Sequence, residues 1–223
     1  MGITAIPFAV RVDAVRSIFG SKDRELLEKI KNTNLYGHYA EMDDLPKEYQ
    51  FDFDQALEDI VFGYIPPAER KSAKDRFWGL VKGKPVTGLN EKIAHGYGYV
   101  LLVVCDLLGE HLLPHCDGFY GGSTFKAAAA ILRQEGLSFD LQGIFEGEEV
   151  FDLPRITDFP AIKLYSRQAI DEVNAVMEKI DLDDLAAIEA YDDPDELRDM
   201  LGDIRDSFQA CAERGVEMVV FTH

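Results

Sequence analysis

The densest group of side chains able to do chemistry in this 223-residue chain is Glu110, His111, His115, Cys116 and Asp117, in the stretch Gly-Glu-His-Leu-Leu-Pro-His-Cys-Asp-Gly. Two histidines four apart share a helix face, but Pro114 stands between them and breaks that geometry. A metal would need a loop to gather His111, His115, Cys116 and Asp117. The simpler reading is a loop at a helix end, where histidine meets the negative pole of the helix dipole, and no metal is expected. The same residues could form a cysteine nucleophile with a histidine base. His115 and Cys116 are neighbours whose side chains point apart, so His111 or His95 would have to be that base. Cys105 and Cys211 lie in apolar helical patterns and read as small core residues. An odd number of cysteines, three, at irregular spacing argues against a disulfide framework.

Other patterns fall short of complete motifs. Gly96-Tyr97-Gly98 begins like a dinucleotide fingerprint, yet Leu101 stands where the third glycine belongs and no strand precedes it. Gly79, Gly83 and Lys84 suggest a phosphate loop, but Pro85 replaces the required hydroxyl residue. No cofactor is expected. Asp43 with Asp44, Asp183 with Asp184 and Asp192 with Asp193 are adjacent acids of the kind an acid-rich chain produces, and helix starts favour them. Tyr97 is the remaining polar group of interest, a phenol set in a greasy segment.

The net charge of -18 is uneven: residues 146–223 hold 21 acids against 7 bases. Such a surface repels nucleic acid and anionic membranes and attracts a basic partner. Glu69 to Lys92 is the basic exception, and with Phe77 and Trp78 it could face nucleic acid. On so acidic a chain it reads instead as an amphipathic helix with a solvated basic side. No apolar run approaches the ~20 residues needed to cross a bilayer, and the N-terminal residues lack a secretory pattern, so the expectation is a cytoplasmic protein.

These groups must be held by the elements around them, and those are organised about residues 95–109. Tyr97, Val100, Leu101, Val104, Cys105 and Leu108 repeat at helical spacing, and the run from Tyr99 to Cys105 has no charge, so a helix buried on all sides is predicted. Residues 3–10 read as a strand, with Pro7 suggesting an edge or bulge. Helices follow over 13–19 and after Ser21 as cap. Asn32 to Gln50 reads as loop carrying the aromatic group Tyr36, His38 and Tyr39. Asp52 and Gln55 form a capping-box variant opening a helix with Ala56, Leu57, Ile60 and Val61 inward. Another helix is predicted over 68–82. Ser123 caps a helix ending at Gly136, residues 137–157 give a short helix and loop, and 161–165 form a strand leading to a helix capped by Ser166. Asp193, Pro194 and Glu196 make a second capping box, opening a helix with Leu197, Leu201, Ile204, Phe208 and Cys211 inward and Gly215 at its end. Residues 216–222 read as a strand buried on both faces.

The expected fold is α+β and mostly helical: a central buried helix packed by other helices and by a small sheet that pairs the N- and C-terminal strands. One domain over 1–223 is expected, with possible sublobes 1–145 and 146–223.

The segments Tyr97 to Glu110, Asp158 to Ile162 (Asp-Phe-Pro-Ala-Ile) and the closing Val-Val-Phe-Thr-His resemble a bacterial domain family of unknown function, frequent in actinobacteria. Gly20 to Asp23 and the Phe-Asp-Phe-Asp-Gln-Ala-Leu stretch from Phe51 are similar to its opening; Tyr64 to Ala94 fits less well. The last third also resembles YfbM-like domains in its order of strand, helix, long helix and strand. Neither resemblance implies an activity. The functional expectation is therefore a binding protein of the immunity or inhibitor kind, meeting a basic protein through Asp181, Asp183, Asp184, Asp192, Asp193 and Asp195. The alternative is an enzyme with its site where the central helix ends, drawing on Tyr97, Glu110, His111, His115, Cys116 and Asp117. Oligomeric state is left open.

Overall fold

A computed structural model describes residues 3–40, 50–70, 87–114, 118–148, 150–156, 159–183 and 186–223. The chain divides into two compact units, one built from residues 1–11, 109–148 and 161–223 and the other from 12–108 and 149–160.

The second unit is organised around the predicted central helix. Helices α1 (Val12–Arg16), α2 (Arg24–Lys31), α3 (Asn34–Ala40) and α4 (Phe53–Glu58) surround α5 (Ala94–Leu108). Every residue of α5 from Gly96 to Cys105 is buried, as a helix apolar all round requires. The two glycines that mimicked a nucleotide motif serve packing. A β-carbon on Gly96 would stand 2.6 Å from the Phe51 ring, and one on Gly98 would stand 2.8 Å from Pro160 and 2.9 Å from Ile156.

Three readings of this unit change. The cap of α2 is Asp23, whose carboxylate accepts from the Glu25 and Leu26 amides at 2.9 and 3.0 Å, rather than Ser21. A carboxylate there also complements the helix dipole. The predicted loop after Asn32 contains α3. Its periodicity is poor, but Thr33 Oγ1 accepts from the Tyr36 amide at 3.1 Å, and Tyr36 and Tyr39 pack on Phe53 and Tyr99. Asp52 caps α4 through the Gln55 amide as predicted, but the Gln55 side chain runs forward to Asp59 instead of back to the cap. Past Glu58, α4 widens into a π-helical turn, Asp59–Gly63. Of the helix predicted over 68–82, residues 71–82 lie outside the described residues, and Pro67–Glu69 forms a 3-10 turn.

The first unit is an antiparallel sheet with helices on one face. Strands β1 (Thr4–Val10), β2 (Glu110–His111), β3 (Phe119–Tyr120), β4 (Ala161–Tyr165) and β5 (Glu217–Thr222) give the order β2-β1-β5-β4, with β3 also pairing β1. The first and last strands pair as expected, Phe8 opposite Val219. Pro7, however, lies in an interior strand rather than at an edge. It faces Val220 at a position where its own backbone groups turn toward the β2 and β3 side, between the register of β3 at Thr4–Ala5 and that of β2 at Phe8–Ala9. Its carbonyl accepts from the Leu112 amide at 3.0 Å, and its absent N–H falls in the interval between two short strands, so no ladder bond is lost.

Helices α6 (Ser123–Gln134), α7 (Arg167–Met177), α8 (Ala186–Glu189) and α9 (Pro194–Arg214) complete this unit. Gly122 rather than Ser123 occupies the cap of α6. Ser166 and Asp193 cap α7 and α9 as predicted, and Gly215 ends α9 at φ 63°. Phe125, Leu132, Val173, Leu201, Ile204 and Phe208 form the core with Met218 and Val220 of β5. On the opposite face of β5, Val219 and Phe221 are also buried, and Phe221 meets Phe8 edge-on at 5.9 Å.

Candidate functional site

Beyond the central helix, Glu110 and His111 form β2. The Glu110 carboxylate pairs with the Arg214 guanidinium at 2.8 Å, and the His111 ring stacks on Phe8 with centroids 5.3 Å apart. Both therefore have contacts in the sheet and its covering helix. His115, Cys116 and Asp117 lie outside the described residues. His95 meets the edge of the Phe51 ring. Among the described residues, no group of three His, Cys, Asp or Glu side chains is placed to hold a metal. Burial pushes the Cys211 thiol up to about 12 and the Cys105 thiol higher still, so neither ionises near neutrality.

Tyr97 is fully buried and positions another group. Its hydroxyl donates to Asp59 Oδ2 at 2.9 Å and accepts from the Asn90 amide at 2.8 Å. Burial holds its phenol well above the ordinary value; the Asn90 amide pulls the other way and the Asp59 carboxylate adds to the rise. It stays protonated and acts as a fixed donor to Asp59.

Two acids of the first unit, Glu189 and Asp195, meet one guanidinium. Arg198, on the first turns of α9, donates from Nε to the Leu182 carbonyl at 3.1 Å, and its two terminal nitrogens meet Asp195 at 2.7 Å and Glu189 at 3.3 Å. A rigid planar fork thereby draws together the 181–183 turn, α8 and the start of α9. Asp181, Asp183, Asp192, Asp193 and Asp195 are all exposed on these segments, as are Glu196 and Asp199. Asp184 lies outside the described residues. Some of these acids have local work: Asp181 accepts from the Asp183 amide, Asp193 caps α9, and Asp195 neutralises part of Arg198. The side chains of Asp183, Asp192, Glu196 and Asp199 project without a cationic partner among the described residues.

A groove of 560 Å³ lies in the second unit, between α2 and α4 with its π-helical turn. Arg24, Leu27, Glu28 and Lys31 line it from α2, and Gln55, Glu58, Asp59, Phe62 and Gly63 from the other side. Each set repeats at three- and four-residue spacing, as one face of a helix does. The Gly20 and Lys22 amides donate to the Ile60 and Val61 carbonyls at 2.8 and 2.9 Å, while Lys31 meets Asp54 at 2.8 Å. The two helices consequently run antiparallel. At the Lys31 end, Asp54 is held below the usual carboxylate range by Lys31 and by the Tyr36 hydroxyl, which donates to it, and Asp54 in turn raises Lys31. Asp59 is fixed in mid-groove by Tyr97 on one oxygen and by Gln55 at 2.8 Å on the other. The sequence reading missed this site. The polar members at positions 24, 28 and 31 of α2 were a visible stripe, but nothing local indicated that a second helix would lie opposite.

The chain matches one domain family over residues 1–223, a domain of unknown function designated DUF7691. Nothing among curated proteins or solved structures matches it significantly.

Proposed function

We propose, from the premise that the chain belongs to this family of unknown function, that it is a cytoplasmic bacterial protein that acts by binding. Its acidic face in the first unit recognises a basic protein partner, as an immunity protein or inhibitor recognises a cationic toxin or nuclease. The observation that carries this reading is the Arg198 fork. It ties the 181–183 turn, α8 and α9 together and engages Asp195 and Glu189, while Asp183, Asp192, Glu196 and Asp199 stay exposed on or beside these segments, which supports a shared acidic surface. Exposed acids held in register steer a basic partner and fix its orientation, which is where charge complementarity contributes most. Glu110 is already engaged by Arg214, so a catalytic role for it would require breaking that pair; this favours binding over the enzyme reading.

The test is recovery of partners from native lysate at low and at high salt, with the chain and a charge-reversed variant (Asp192→Lys, Glu196→Lys, Asp199→Lys) as baits. A partner held at low salt, released at high salt and lost by the variant is expected. Recovery of no salt-sensitive partner, or equal recovery by the variant, counts against the proposal. These substitutions are on exposed side chains and leave the core of α9 untouched.

A further inference from the structure

The groove between α2 and α4 has features that the acidic face does not use. Its charges are arranged in order along the antiparallel pair. Arg24 stands at the end near Phe62 and Gly63, Glu28, Glu58 and Asp59 occupy the middle, and Lys31 closes the other end with its charge already met by Asp54. Arg24 has no acceptor among the described residues, and the side-chain carboxylates of Glu28 and Glu58 have no hydrogen-bond donor among them. Leu27 and Phe62 supply apolar wall between the charged groups. Asp59 is preorganised by two donors, one of them a phenol buried in the central helix, and it starts a π-helical turn, a distortion often found where a helix side chain is aimed at a ligand. A volume of 560 Å³ falls within the range of small-molecule sites, roughly 300–1,000 Å³.

We propose that this groove binds a free basic amino acid, its carboxylate on Arg24 and its side-chain cation among Glu28, Glu58 and Asp59. Arg24 and Glu28 are four residues apart on one helix face, about 6 Å along the axis, so the groove offers a cation and then an anion about one turn apart to the two ends of such a ligand. An unpaired guanidinium is a bidentate receptor for a carboxylate. Glu28, Glu58 and Asp59 line the groove together, and although Lys31, paired with Asp54, also interacts with Glu28 and Glu58, the acids outnumber it, so the middle of the groove stays negative and complementary to a cation. A polyamine without an acid group would satisfy the middle but leave Arg24 unmet.

Isothermal titration calorimetry on the full chain distinguishes the two halves of this proposal. L-lysine and L-arginine are the probes, and cadaverine and agmatine present the same cations without the carboxylate. Saturable 1:1 binding of at least one amino acid is expected, with its amine analogue weaker by roughly tenfold or more, the loss of one charge-assisted pair. Arg24→Gln should bring the amino acid down to the level of the amine without weakening the amine, for which the change removes only a like charge from the groove. Glu58→Gln should weaken both by roughly tenfold. No saturable heat with either amino acid overturns the proposal, as do equal affinities for amino acid and amine, or variants that bind like the parent. Arg24 and Glu58 are exposed, so both variants fold, and circular dichroism verifies it. The charge-reversed variant of α9 should bind these ligands unchanged, so failure here and failure of the partner proposal are separately readable.

Discussion

A single carboxylate, Asp54, links the ionisation of the groove to the stability of its unit. Lys31 and the Tyr36 hydroxyl both favour its charged form, so its folded pKa lies below its unfolded one. In the interval between those two values the unfolded chain binds more protons, and stability rises with pH. The contribution of Asp54 is thus complete above the ordinary carboxylate range and is lost as pH falls through the folded value. Lys31 has the opposite sign: its folded pKa is raised, so its contribution is complete below the ordinary lysine value and fades as pH climbs past the folded one. The expected outcome for Asp54→Asn is a lower urea midpoint than the parent between about pH 5 and pH 9, the span bounded by the ordinary carboxylate and lysine values, with the gap closing on acidification. A constant gap across an acid titration followed by fluorescence would show that Asp54 acts by packing alone. The same scale accounts for Tyr97. Its apolar neighbours were evident in the sequence, but its partner is Asp59, 38 residues away.

At the scale of elements, α5 is an apolar rod that its neighbours approach closely only because two of its positions lack a side chain. Gly96 admits the Phe51 ring and Gly98 admits Pro160 and Ile156. In the middle of a helix glycine costs about 1 kcal/mol relative to alanine, so an exposed site would gain from the exchange. Gly98→Ala should do the reverse. A β-carbon 2.8 Å from Pro160 Cγ forces the contact apart, and overpacking of this kind costs about 1–3 kcal/mol. The check is a chemical denaturation curve. A midpoint at or above that of the parent would mean that the 159–160 segment yields freely. Helix α9 shows the opposite case, an element specified locally: an aspartate cap, a proline at the first turn, apolar residues at helical spacing and a terminal glycine in the left-handed region all lie within one stretch of sequence. The failed caps are instructive beside it. Ser21 and Ser123 are acceptable cap residues, but neighbouring positions took the role, because a cap is chosen by where the backbone turns and not only by residue type.

For the whole molecule, the strand that closes the described sequence is also an interior one. β5 lies between β1 and β4, with Met218 and Val220 in the helical core and Val219 and Phe221 buried on the other face. Phe221→Ala should cost about 3–5 kcal/mol and show as a lowered midpoint in equilibrium unfolding. A loss under about 1 kcal/mol would mean that this face of the sheet collapses around the smaller side chain. Sequence alone determined the α+β class, the buried helix, the caps at Asp52, Ser166 and Asp193, and the pairing of the first and last strands, because each depends on periodicity, apolar content or turn chemistry within a few residues. Tertiary structure decided that Pro7 sits inside a sheet, since its missing donor matters only once the gap between β2 and β3 is known. It also decided that Arg198 gathers three acidic segments and that α2 and α4 face one another across a groove. The groove joins residues some thirty positions apart, and the Arg198 fork spans separations of 3, 9 and 16 residues across three segments, so neither leaves one local periodicity to read.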